Sequence, residues 1–93
     1  MVMYMTTVTI YTKPTCPSCI AAKSLLNGKG VRFNEISIDS DDAAAVSLAW
    51  RTGRATVPQI FIGMKHIGGY DDLAALESAG NLDAELGLHQ EIG

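Results

Sequence analysis

Cys16 and Cys19 are the only two cysteines among 93 residues, and they sit three apart in the stretch Lys13-Pro14-Thr15-Cys16-Pro17-Ser18-Cys19. A thiol attacks only as its thiolate, so the local electrostatics decide which cysteine is the nucleophile. Cys16 falls where a strand-like run gives way to a helix-like run. At a helix N-terminus, unpaired backbone N–H groups and the helix dipole stabilise an anion. Lys13 adds a positive charge three residues upstream, and Pro17 suits the first helical turn, where its missing N–H is not needed. Such settings lower a cysteine pKa from about 8.5 to roughly 3.5–7.5. We therefore read Cys16 as the nucleophilic thiolate. Cys19, one turn further in, is expected to be more buried, closer to an ordinary thiol, and suited to resolving a mixed disulfide formed on Cys16. A zinc half-site uses the same spacing but needs two further ligands. Only His66 and His89 are on offer, far apart in sequence, so no metal is expected. For the same reason a Cys–His protease arrangement lacks its third group.

The elements that must hold this pair are legible from pattern. Thr7 to Thr12 is β-branched, aromatic and alternating, which predicts a strand. Cys19, Ala22, Leu25 and Leu26 share one helical face, and Asn27-Gly28-Lys29-Gly30 closes that helix. Val31 to Ile38 is expected as a second strand. A helix follows from the acidic turn at Asp39-Ser40-Asp41-Asp42, with Leu48 and Trp50 as its buried side, and Thr52-Gly53-Arg54 ends it. Pro58 stands directly before the apolar run Gln59 to Ile62; it is better placed in a strand-initiating turn than inside a strand. Gly63 to His66 reads as a turn, His66-Ile67 as a short return strand, and Tyr70-Asp71-Asp72-Leu73 as a helix start with an Asp as N-cap. Asn81 to Leu88 predicts a last short helix. The order is β-α-β-α-β-β-α with a helical extension. Strands one and two are parallel, and the last two form a hairpin.

Length and composition bound the rest. The chain is 47% hydrophobic and 18% charged, an ordinary globular balance for one domain over residues 1–93 with a structured core near 7–88. A net charge of −3 argues against a nucleic-acid partner. No apolar run approaches the length of a membrane span. The Met1–Thr6 segment lacks the basic and apolar regions of a secretory signal, which points to the cytoplasm. Two cysteines are too few for a secreted disulfide framework, and in a reducing compartment a close pair is catalytic or metal-binding before it is structural. Lys23, Lys29 and Lys65 read as solvated charges.

Four motifs in order, Tyr11-Thr12-Lys13, Cys16-Pro17-Ser18-Cys19, Thr56-Val57-Pro58-Gln59 and Gly68-Gly69-Tyr70-Asp71-Asp72-Leu73, resemble those of a glutaredoxin. The resemblance runs from Val8 to about Leu86. It implies an α/β, thioredoxin-like fold with sheet order 2-1-3-4, helices on both faces and a cis bond before Pro58. It implies a thiol–disulfide oxidoreductase that reduces protein disulfides and protein–glutathione mixed disulfides, with glutathione as cosubstrate and a monomer as the default state. Carried onto this sequence, the glutathione-binding residues are Lys13, Thr56, Val57, Pro58, Gly69, Tyr70, Asp71 and Asp72. Val57, before a cis proline, can pair with an extended peptide. The helix N-terminus at Gly69–Asp72 suits the γ-glutamyl carboxylate. Asp72 is assigned to the γ-glutamyl amine with Asp71 as cap, and Lys13 to the glycyl carboxylate, Arg51 and Arg54 being weaker candidates.

This sequence departs from the resemblance at three places. Ser18 stands where an aromatic residue is usual, Tyr70 where a small residue or Cys is common, and the alanine-rich second helix lacks a polar residue for the glycyl carboxylate. Two other readings follow from the same motifs: a [2Fe–2S] carrier holding its cluster between two copies, and an electron donor reduced by a thioredoxin reductase.

Overall fold

The computed structural model describes residues 7–39, 42–53 and 56–87. The leader Met1–Thr6, the turn residues Ser40 and Asp41, Arg54 and Ala55, Leu88, His89 and the tail lie outside the described residues. In chain order the elements are β1 (Val8–Thr12), α1 (Pro17–Gly28), β2 (Asn34–Ser37), α2 (Asp42–Thr52), β3 (Gln59–Ile62), β4 (Lys65–Gly68), α3 (Tyr70–Ser78) and α4 (Leu82–Glu85). The sheet order is β2-β1-β3-β4. β1 runs parallel to β2 and antiparallel to β3, and β3 is antiparallel to β4. Both pairing directions match the expectation from the sequence.

Alternation in the strands divides the core in two. Val8 and Ile10 of β1 pair with Ile62 and Ile60 of β3, and this face packs Ala22 and Leu26 of α1, Leu73 of α3, and Leu82 and Leu86 at α4. Tyr11 and Phe61 point the other way and pack Ala44 and Leu48 of α2, together with Ile38. β3 is buried along its whole length because both of its faces are covered and both of its edges are paired. β2 and β4 are the sheet edges, and they carry the charged residues Glu35 and Lys65.

Several expectations need correction. β2 is shorter than Val31–Ile38, because Val31 and Phe33 pack against the first core as a connection rather than as ladder residues. β4 begins at Lys65, leaving only Gly63-Met64 for the turn. Trp50 is 85% exposed, whereas Leu48 is fully buried. The two are separated by about 200° of helical rotation, so they cannot share a buried side. The three lysines are ion-paired: Lys23 with Glu35, Lys65 with Glu85, and Lys29 with both Glu77 and Asp83. The Lys29 clamp ties the end of α1 to α3 and α4. Its ammonium is held above the ordinary lysine range by Asp83 first and Glu77 second.

Candidate active site

Cys16 is the N-cap of α1. Its backbone is extended (φ −110°, ψ 106°), its carbonyl accepts the Ile20 N–H at 3.1 Å, and its sulfur accepts the Cys19 N–H, also at 3.1 Å. Pro17 occupies the first turn, where proline removes only an N–H that the helix leaves unused. Cys16 thus does with sulfur what Ser or Asp does at other N-caps: it takes up an orphan amide. Cys19 is 1% exposed, on the buried α1 face with Ala22 and Leu26. The pair forms a disulfide whose Cα atoms are 5.1 Å apart. In the reduced protein, burial first and then the Cys16 sulfur push the Cys19 thiol up to about 11. The Lys13 backbone amide pulls weakly the other way. Cys19 is thus more buried than Cys16, as its place one turn further in predicts, but burial raises its thiol well above the ordinary range instead of leaving it near that range.

The loop before β3 closes on the pair. The Val57–Pro58 peptide is cis, and the Val57 carbonyl lies 3.9 Å from the Cys16 sulfur. Pro58 is buried and Val57 packs against the α2-side core, so the loop is anchored from beneath. Across from it, β4 ends at Gly68 and α3 opens at Tyr70 with Gly69 as its N-cap. Gly68 has φ +121°, and a Cβ there would collide with the Asp72 carboxylate. That position therefore admits no side chain, on conformation and on space.

Asp72 rather than Asp71 caps α3: its Oδ2 accepts the Gly69 N–H at 3.0 Å. The cap is therefore Asp72 and not the expected Asp71. Three residues into the helix, a carboxylate reaches back to the cap amide, whereas Asp71 points from an exposed position in the first turn.

A cavity of about 250 Å³ joins these parts, lined by Ser18, Thr56, Val57, Pro58, Gln59, Gly69, Tyr70, Asp71 and Asp72. Seven of the eight residues expected to hold glutathione thus surround one space beside the cysteine helix. Lys13 is the exception: it is exposed and does not line the cavity. A larger hollow of about 550 Å³ lies between α1 and α3, bordered by Leu25, Lys29 and Glu77, but neither Ser18 nor the Thr56-Val57-Pro58 loop borders it. Tyr70 lines both spaces and packs on the first core, so its ring is a wall held from behind.

Two features escaped the reading of the sequence. Arg51 does not reach the cavity: its guanidinium lies 4.1 Å over the Phe61 ring and donates to the Tyr11 hydroxyl at 3.2 Å. Gln59 lines the cavity although it was assigned no role. It is 2% exposed, donates to Thr56 Oγ1 at 3.1 Å and pairs through Oε1 with His66 Nε2 at 2.6 Å. The available signal was an amide opening an apolar strand, since a buried amide must find partners.

Against known proteins, a family model described as Glutaredoxin matches residues 8–67. Glutaredoxin 3 of Escherichia coli (strain K12) is 56% identical over 79 residues, spanning 85% of this chain and 95% of that protein. The chain belongs to the glutaredoxin family. It is accordingly a thiol–disulfide oxidoreductase, of a family that uses glutathione as cosubstrate. The solution structure of a glutaredoxin from Brucella melitensis superposes with a TM-score of 0.79 at 49% identity, covering 95% of this chain and 96% of that one. A buckwheat glutaredoxin–glutathione complex gives a TM-score of 0.79 at 35% identity, covering 85% and 74%. The four-stranded order and the helices on both sheet faces are those of the glutaredoxin fold. Among the described residues no group of three or more His, Cys, Asp or Glu is placed to hold a metal ion.

Proposed function

We propose that Cys16 is the attacking thiolate, Cys19 the resolving thiol, and the cavity at Ser18 the glutathione groove. The observation that carries this reading is the convergence of three segments on one space: the cysteine helix, the Thr56-Val57-Pro58 loop and the start of α3. With a glutathionylated protein, the Cys16 thiolate attacks the glutathionyl sulfur. The protein–glutathione S–S bond breaks, a Cys16–glutathione disulfide forms, and the protein thiolate leaves and takes a proton. A second glutathione thiolate then attacks the glutathionyl sulfur, which releases glutathione disulfide and regenerates Cys16. With a protein disulfide, Cys16 attacks one sulfur, Cys19 then attacks Cys16, and both substrate thiols depart, leaving Cys16–Cys19 oxidised.

In the groove, the Val57 backbone pairs with the cysteinyl residue of glutathione. The first amides of α3 take the γ-glutamyl carboxylate, as helix N-termini take anions. Asp72 holds the Gly69 amide with one oxygen and offers the other to the γ-glutamyl ammonium. Lys13, exposed upstream of Cys16, attracts the glycyl carboxylate at the open end. The chain acts as one domain and one copy in the cytoplasm, where a glutaredoxin potential of about −200 to −230 mV makes it a reductant.

The test is a coupled assay on a glutathionylated peptide. Turnover driven by glutathione and glutathione reductase, with none driven by thioredoxin reductase alone, is the expected result. Equal or greater turnover with thioredoxin reductase would remove glutathione from the mechanism.

A further inference from the structure

Gln59 and His66 connect the back of the sheet to the groove. Gln59 is in register with Tyr11, and His66 with Phe61, so all four side chains lie on the α2 face. The imidazole of His66 stacks on Phe61 at 4.9 Å between centroids, which fixes the plane of the ring. A bulge between Ile60 and Phe61 in the β3–β4 ladder shifts the register there. Bulges re-aim side chains. His66 Nε2 then meets Gln59 Oε1 at 2.6 Å, and Gln59 Nε2 donates to Thr56 Oγ1 at 3.1 Å.

A carboxamide has one accepting and one donating end, so what one end does dictates what the other does. With Oε1 facing His66, the ring must donate from Nε2, and Gln59 must donate to Thr56. A hydroxyl that accepts in this way has its own hydrogen to give to another group. Thr56 lines the groove beside Val57. If the amide were reversed, Thr56 would spend its hydrogen on Gln59 and present only lone pairs to a ligand.

We propose that His66 is a positioning residue for the groove: through Gln59 it sets the polarity of Thr56, so that the hydroxyl donates to an anionic or carbonyl oxygen of the bound glutathionyl group. This rests on the glutathione reading above. Among the described residues, His66 is not one of those that line the groove. Its effect is therefore on binding of the glutathionyl moiety and not on thiol exchange itself.

The test compares wild type, His66→Phe and His66→Gln. Phenylalanine keeps a ring on Phe61 but cannot donate, whereas glutamine can restore a donor. Kinetics are measured with a glutathionylated peptide, and separately as dithiothreitol-driven reduction of a protein disulfide, which needs no glutathione. His66→Phe is expected to raise KM for the glutathionylated peptide on the order of three- to tenfold, the worth of one hydrogen bond. The kcat and the dithiothreitol reaction should stay within about twofold. His66→Gln should recover much of the loss. In wild type, ¹⁵N shifts of the ring should report the Nε2–H tautomer. An unchanged KM in a folded His66→Phe variant, an Nδ1–H tautomer, or equal losses in both reactions would overturn the proposal. If wild type itself fails to turn over the glutathionylated peptide, the glutathione reading falls first and takes the relay with it.

Discussion

At the level of single residues, the two cysteines differ in setting because one caps a helix and the other is sealed beneath it. Burial first, and then the Cys16 sulfur, push the Cys19 thiol up to about 11, and the burial persists when Cys16 carries glutathione. Only the thiolate attacks, so internal resolution of a Cys16–glutathione adduct by a thiol that burial holds above its ordinary range should accelerate with rising pH. Rapid-mixing measurement of glutathione release between about pH 6 and 9 checks this; a flat profile would show that Cys19 is not the titrating attacker. Ser18 lines the groove where the glutaredoxin resemblance implies an aromatic residue. Ser18→Tyr should lower KM for a glutathionylated peptide by about two- to tenfold, since one aromatic contact contributes on the order of 0.5–1.5 kcal/mol. Unchanged kinetics would mean that position 18 does not face the ligand.

The elements matter for what they aim. β1 delivers the chain to Cys16, and its last residue also anchors a neighbour: buried Thr12 donates to Glu35 at 2.8 Å, while Lys23 of α1 donates to the same carboxylate at 2.9 Å. This triad joins β1, α1 and β2 directly behind the cysteine loop. The Lys23 ammonium first, and the Thr12 hydroxyl second, hold Glu35 below its ordinary 4.5. A carboxylate with a depressed folded pKa adds stability that is complete above its unfolded value and fades as pH falls through the lower folded one. Glu35→Gln should therefore flatten the acid limb of urea midpoints taken between about pH 6 and pH 3. The effect should be small, below about 1 kcal/mol, because the pair is partly exposed. An acid limb identical to wild type would remove Glu35 from the linkage.

The same elements show what the sequence could and could not convey. Strand and helix order followed from β-branched alternation in Val8–Thr12 and from the Cys19, Ala22, Leu26 face, because local spacing encodes which side is buried. The cavity residues followed from the four motifs. Trp50 did not follow, since hydrophobicity alone does not say which side of α2 meets the sheet. Capping by Asp72 in place of Asp71 did not follow either; it depends on whether the helix begins at Tyr70 or two residues later. Long-range pairs such as Lys29 with Asp83, or Gln59 with His66, depend on the register of packed elements and leave no periodic trace.

For the molecule as a whole, the site exists only where three segments far apart in sequence meet, while much of the surface contributes little to holding the fold. Trp50, at 85% exposure, is a case in point. Trp50→Gln should shift stability by no more than about 0.5 kcal/mol in urea titration, as expected for an exposed position; a loss of several kcal/mol would place the indole in a packed role. The central claim concerns the two sulfurs and is tested most directly by glutathione-driven turnover of a glutathionylated peptide by two variants. Cys16→Ser should abolish turnover. Cys19→Ser should retain it through the monothiol route and lose only the reduction of protein disulfides. Retained activity in Cys16→Ser, with loss in Cys19→Ser, would contradict the assignment of nucleophile and resolver.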